Sequence, residues 1–191
     1  MQYQKEEIRA KIVASAISEF ETAGYNKANI IRIAKNAKVP VGNLYRYFKS
    51  KDNLFEAVVI NACKELPILI KNIYEKDVLL DRNEKEMADI IAYNIVEVYK
   101  KYGRQIIILA DKSTGSKFEY YFKNLIDDII KLFEKGLYGD INSEHNIMAK
   151  VIGYGFMNGL FTIIKDVPAN NIEVYAKKLI TYYFYQSENR I

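Results

Sequence analysis

The sequence predicts an all-α fold of about nine helices, with a three-helix N-terminal group over residues 1–50 and a larger helical region over residues 51–191. Three observations predict it. Apolar residues recur at 3-4 spacing nearly from end to end. No pair of alternating apolar and polar runs flanks a tight turn, as a hairpin requires. Breakers are few, with three Pro and nine Gly in 191 residues.

The elements follow in order. Ile8, Ile12, Ala16, Ile17, Phe20 and Ala23 form the stripe of a first helix, with Lys5, Glu7, Lys11 and Glu19 opposite. Gly24 ends it as a C-terminal glycine does. Asn29 caps a short second helix holding Ile30, Ile33 and Ala34. A turn at Ala37–Val39 leads to a third helix, Pro40 to Tyr47, because Pro suits a first turn and no interior position. Ser50 caps a fourth helix with Asp52 in its first turn and Leu54, Phe55, Val58, Val59 and Ala62 inside. Met87, Ile91, Ile95, Val98 and Tyr102 give the next stripe. Ser116 and Glu119 have capping-box spacing and open a helix with Tyr121, Phe122, Leu125, Ile129, Leu132 and Phe133 inside, stopped by Gly136. Asn142 or Ser143 opens a long helix through Ile164. Asn170, with Glu173 three later, opens the last one, with Ile172, Tyr175, Ala176, Leu179, Ile180 and Tyr183 inside.

Composition bounds the chemistry. Cys63 is the only cysteine and His145 the only histidine, so an intrachain disulfide, a soft-metal site and a His-dependent nucleophile triad are all excluded. Cys63 reads as a small core residue. Ser113-Thr114-Gly115-Ser116-Lys117 lacks the spacing and the preceding strand of a phosphate loop. The carboxylates are scattered, no cofactor is implied, and an enzyme is not expected. The N-terminus has no apolar signal core and the longest apolar runs are too short for a bilayer, so a soluble cytoplasmic protein is expected.

Charge is uneven. Residues 1–51 hold ten Lys/Arg against four Glu, a net +6, and residues 52–191 hold eighteen against twenty, a net −2. A polyanion partner is therefore expected for the front of the chain alone.

The second and third predicted helices, joined by a tight turn and preceded by another helix, make a helix-turn-helix. Val41, Leu44 and Phe48 form the inner side of the third helix; Pro40, Gly42, Asn43, Tyr45, Arg46 and Tyr47 form the outer side. Asn43 suits a base edge or a phosphate, and Arg46 forks onto guanine or a phosphate. Gly42 lets a backbone approach a duplex, and Pro40 and Val41 fit thymine methyls. Tyr45, Tyr47 and Lys51 reach phosphates.

Residues 20–55 resemble the DNA-binding domain of the tetracycline-repressor (TetR) family. The likeness rests on Phe20, Gly24, Tyr25, Ile33, Ala34, Val39, Gly42, Leu44, Tyr45, Tyr47, Phe48, Lys51 and Leu54. The family's Thr cap is replaced by Asn29, which joins the expected DNA-binding set. Its turn Gly is Lys38, and its Ser cap on the recognition helix is Pro40. The resemblance implies a homodimer that binds a near-palindromic operator, represses transcription and releases DNA on meeting a small-molecule inducer. It makes residues 1–50 the DNA-binding domain and residues 51–191 the ligand-binding and dimerisation domain.

Two expectations concern the rear half. Gly155 and Gly159 sit in an apolar helix and, with Leu179 and Tyr183 of the last helix, are assigned to a close dimer contact; an intrachain crossing is the alternative. Asn94, Tyr121, Leu125 and Asp128 are assigned to an inducer cavity, with Asp128 on the inner stripe inviting a cation. An ion-paired, solvated Asp128 is the alternative. A helical protein-interaction module and an activator of the same family remain alternatives for the whole chain.

Overall fold

The structure, a computed structural model, describes residues 2–75, 84–138 and 143–184. Among them are eight α-helices, one 3-10 turn and no strand. They are α1 (Gln2–Lys27), α2 (Ile30–Asn36), α3 (Val41–Tyr47), α4 (Lys51–Glu75), α5 (Glu84–Asp111), α6 (Tyr121–Tyr138), α7 (Ser143–Asp166) and α8 (Ile172–Phe184). The all-α class is as expected. Eight helices stand among the described residues where about nine were expected, and α5 runs unbroken from Glu84 to Asp111. Asn142 lies outside the described residues, as do the side chains of Met87, Leu132, Phe133 and His145 and the burial of Gly136.

Three boundaries move for physical reasons. Ser116 and Glu119 do not open α6. Ser116 Oγ accepts from the Phe118 amide at 3.1 Å and Glu119 Oε2 from the Gly115 amide at 3.1 Å, so both side chains fold the loop before the helix. Gly136 does not stop α6, which continues to Tyr138. Asn170 lies in the 3-10 turn Ala169–Asn171, and α8 begins after it, at Ile172.

The chain divides into two compact units, Met1–Glu65 with Arg104–Phe122, and Leu66–Gly103 with Lys123–Ile191. The first unit is built on Ile12, Ala16, Phe20, Ile33, Leu44, Leu54, Phe55 and Val59, all fully or almost fully buried. Phe55 is its hub: its ring lies edge-on to Phe20 at 4.8 Å and to Tyr25 at 5.1 Å, and 6.0 Å from Phe118. Edge-to-face pairs of this kind add to the burial of their area. At Gly24 (φ 72°, ψ 165°) α1 breaks, and the next amide, Tyr25 N–H, donates to the Lys112 carbonyl at 2.8 Å. Only a residue free of a Cβ enters that region without strain.

Pro67 lies inside α4 and cannot donate to the carbonyl four residues back, that of Cys63. The Tyr121 hydroxyl donates to that carbonyl instead, at 2.7 Å. Burial, with the contact to Cys63, holds the Tyr121 phenol well above the ordinary tyrosine range. Cys63 is half-buried, and burial pushes its thiol up to about 11.

The second unit packs α5, α7 and α8 on one another. Ala88, Ala92 and Ile95 of α5 meet Phe156 of α7 and Ala176 and Ile180 of α8 in one cluster. Val96, Ile163 and Ile172 extend it. A Cβ on Gly155 would lie 2.7 Å from Tyr183 Oη, and one on Gly159 would lie 3.0 Å from Leu179 Cδ1. These four residues form an intrachain crossing of α7 and α8, so the glycines are accounted for without a second copy.

Candidate nucleic-acid interface

The helix-turn-helix is held in place from α1. Ser15 Oγ donates to the Ile33 carbonyl at 2.9 Å. Asn29 caps α2, its Oδ1 accepting from the Ile31 and Arg32 amides at 2.8 and 3.3 Å. Glu19 was expected on the polar side of α1, but only 8 % of it is exposed. Its carboxylate accepts from the Asn29 backbone amide at 2.8 Å and from Arg32 Nη2 at 2.5 Å. The Arg32 hydrogen bond, assisted by the Asn29 amide, outweighs burial and holds the Glu19 carboxyl below the usual carboxylate range. One buried charge thus fixes the start of α2 on α1. The spacing of Ala16, Glu19 and Phe20 was the available signal, since i, i+3 and i+4 share a face.

The turn between α2 and α3 runs through Lys38 at φ 58°, the only non-glycine residue with positive φ in the chain's described part. The chain then enters α3 through Pro40, whose φ of −59° is set by its ring and which offers no side-chain cap. Leu44 is fully buried and Phe48 nearly so, and together they anchor α3. Pro40, Gly42, Tyr45 and Arg46 are exposed, as is Lys49 just beyond the helix; Val41, Asn43 and Tyr47 are half-buried. Gly42, Tyr45 and Arg46 recur at helical spacing, so one open face of α3 carries them. A Cβ added at Gly42 would meet nothing within 4 Å.

Lys51 departs from the expectation of an outward phosphate ligand. Its ammonium donates to the Tyr25 carbonyl at 2.9 Å and the Asn26 carbonyl at 3.3 Å, and lies 4.5 Å from the Tyr25 ring centroid. Asp52, next to it, accepts from the Tyr25 hydroxyl. Burial and then this bond push the Tyr25 phenol up to about 12. Lys51 and Asp52 therefore tie the first turn of α4 to the end of α1. Sequence reasoning also left Ile31 unassigned, yet it is 65 % exposed at the start of α2.

The rear site residues are not assembled as expected. Asp128 is on the surface, its side chain 71 % exposed and paired with Lys131 at 3.1 Å. The inner positions of α6 are Ile129 and Ile130, with Tyr121, Phe122, Leu125 and Ile126 half-buried, which rotates the stripe and leaves Asp128 outside it. Asp127 beside it accepts from the Tyr154 hydroxyl. Asn94 donates its amide to the Ile90 carbonyl at 2.8 Å, one turn back along its own helix. Tyr121 is engaged at Cys63. Among the described residues no group of three His, Cys, Asp or Glu is placed to hold a metal.

Residues 12–58 match the family described as bacterial regulatory proteins, tetR family. Over these residues the chain is similar to the TetR family. The matched stretch runs from Ile12, in the buried stripe of α1, to Val58 in α4, and so contains the whole α2–α3 pair. A curated relative, the HTH-type transcriptional regulator HbdR of Aromatoleum sp. (strain CIB), is 33 % identical over 72 residues, or 36 % of this chain. The match spans 31 % of that relative's length. Solved TetR-type structures share the fold over nearly the full chain. The TetR-family transcriptional regulator from Bordetella parapertussis 12822 superposes with a TM-score of 0.72 at 18 % identity, covering 96 % of this chain and 97 % of that one. NalD, the secondary repressor of the MexAB-OprM multidrug efflux pump in Pseudomonas aeruginosa, gives 0.60 at 18 % identity, covering 95 % and 96 %.

Proposed function

We propose that this protein is a cytoplasmic homodimeric repressor of the TetR family that binds a near-palindromic operator through α3 and is released by a small-molecule inducer. In this reading residues 1–50 are the DNA-binding domain, and residues 51–191 bind the inducer and dimerise.

The open face of α3 supports DNA binding best, and Gly42 is its sharpest feature. A glycine inside a seven-residue helix costs ~1 kcal/mol relative to alanine. Nothing within the chain crowds that position. Close approach of a duplex backbone is the benefit that offsets the cost. Asn43 and Arg46 then read bases, and Tyr45 and Tyr47 reach phosphates. Repression is the activity named for NalD, and it is carried here as part of the proposal. For dimerisation, the open surface of α7 and α8 is the supporting observation. Ile147, Met148 and Val151 on α7 and Val174, Tyr175 and Tyr182 on α8 are each about half exposed or more. These large apolar side chains replace Gly155, Gly159, Leu179 and Tyr183 as the residues assigned to a second copy. No helix among the described residues is long and apolar enough to cross a membrane.

The inducer loses its cationic assignment, because the exposed, ion-paired Asp128 needs no ligand to meet it. Gly42→Ala tests the DNA reading directly. It should raise folding stability by up to ~1 kcal/mol, measured by urea denaturation. It should also weaken binding to an operator duplex selected from a random library. Unchanged duplex affinity in the stabilised variant would refute the assignment of this face.

A further inference from the structure

Resting on the DNA-binding reading above, we infer that Arg9 of α1 is a further contact to the DNA backbone, a guanidinium held by the Phe48 ring for a phosphate beside the end of α3. Phe48 is the C-terminal cap of α3 and is 4 % exposed. The Arg9 guanidinium carbon lies 5.3 Å from the centre of that ring. A guanidinium over an aromatic ring uses its π face, and its N–H donors stay available in the plane. Arg9 is exposed. No carboxylate pairs with it among the described residues, although Glu6 and Glu7 lie within one turn; Glu7 is taken by Lys11 at 2.7 Å. Arg46 and Lys49, both exposed, flank the Phe48 position in sequence. Lys5, also exposed, lies one turn before Arg9 on the same face of α1. The Phe48 ring thus brings a cation from the first helix to the basic end of the recognition helix. The fork geometry of arginine suits a phosphate, and a stacked arginine has little conformational freedom left to lose on binding.

Salt-titrated fluorescence anisotropy tests this with two probes, a labelled random-sequence duplex and an operator duplex selected from that pool. Arg9→Met keeps an apolar chain over Phe48 and removes the charge. It should lower the slope of log affinity against log salt by about one unit per protomer on both probes, with a roughly five- to tenfold loss of affinity near physiological salt. Arg9→Lys should restore the slope. A slope unchanged in Arg9→Met, where the wild type binds both probes, would overturn the inference and leave the DNA-binding reading intact. Equal losses in the Met and Lys variants would also overturn it, since the contact would then serve only to position α3. A loss confined to the selected duplex, with altered base preference, would mean that Arg9 reads sequence and not phosphate. A wild-type protein that binds neither probe would overturn the underlying reading itself.

Discussion

Lys38 occupies a left-handed turn position at φ 58° that glycine enters without strain. The penalty for a residue with a Cβ there is ~1–2 kcal/mol, partly offset by the greater freedom glycine has when unfolded. Lys38→Gly should therefore raise stability by about 1 kcal/mol, read as a higher urea midpoint with unchanged slope. Glu19 is the opposite case, a buried charge whose contacts all favour it. Glu19→Gln should cost about 2 kcal/mol, since it weakens a charge-assisted bond to Arg32 and the bond to the Asn29 amide. The pH dependence follows from its lowered titration. A carboxyl depressed by folding contributes stability above its unfolded value, near pH 4.3, and loses it as pH falls through the lower folded value. Wild type should lose this component on acidification, and a denaturation series below about pH 4 should show it missing from Glu19→Gln. Neither residue was legible in its role. Lys38 was visible as a departure, but its φ was not; Glu19 sat beside the stripe, and only packing decided which side of the boundary it took.

At the scale of elements, α4 and the α7–α8 pair each hold a test. Pro67 leaves the Cys63 carbonyl without its helical donor, and the Tyr121 hydroxyl supplies one. Tyr121→Phe should cost ~1–3 kcal/mol by leaving that carbonyl unpaired, measured as a lowered melting temperature. A Cβ on Gly159 would lie 3.0 Å from Leu179 Cδ1, so a larger side chain must displace Leu179. Gly159→Leu should cost ~1–3 kcal/mol through overpacking. The loss should not depend on protein concentration, because the contact is within one chain. A loss that vanished at high concentration would return the glycines to the dimer contact. The sequence marked α1 to α4 closely because capping residues, Pro40 and 3-4 spacing agree there. It misplaced the start of α6 because Ser116 and Glu119 bond to loop amides equally well, and spacing cannot choose between a loop and a first helical turn.

At the scale of the whole molecule the open question is the second copy. The exposed apolar residues of α7 and α8 predict a mass in solution of twice the 22.2 kDa chain at micromolar concentration. Val151→Glu, at a position 58 % exposed, should give a monomer in sedimentation analysis without lowering the stability of the single chain. A dimer also sets a distance for DNA, since two recognition helices must lie about 34–36 Å apart to enter successive major grooves.

By itself the sequence determined the all-α class and the helix-turn-helix, and it carried the likeness to the TetR family. Those follow from local properties: periodicity, caps, a proline at a helix start and a run of matched residues on one short segment. The tertiary structure decided which polar groups are buried, which glycines are crowded and which side of α6 faces inward. Asp128 and Glu19 were exchanged between surface and interior for this reason. Each lies at the edge of an apolar stripe, where a rotation of a fraction of a turn decides the burial of a carboxylate. That rotation is set by residues distant in the chain, Arg32 and the Asn29 amide for α1, and the packing of Ile130 against Gly153 for α6.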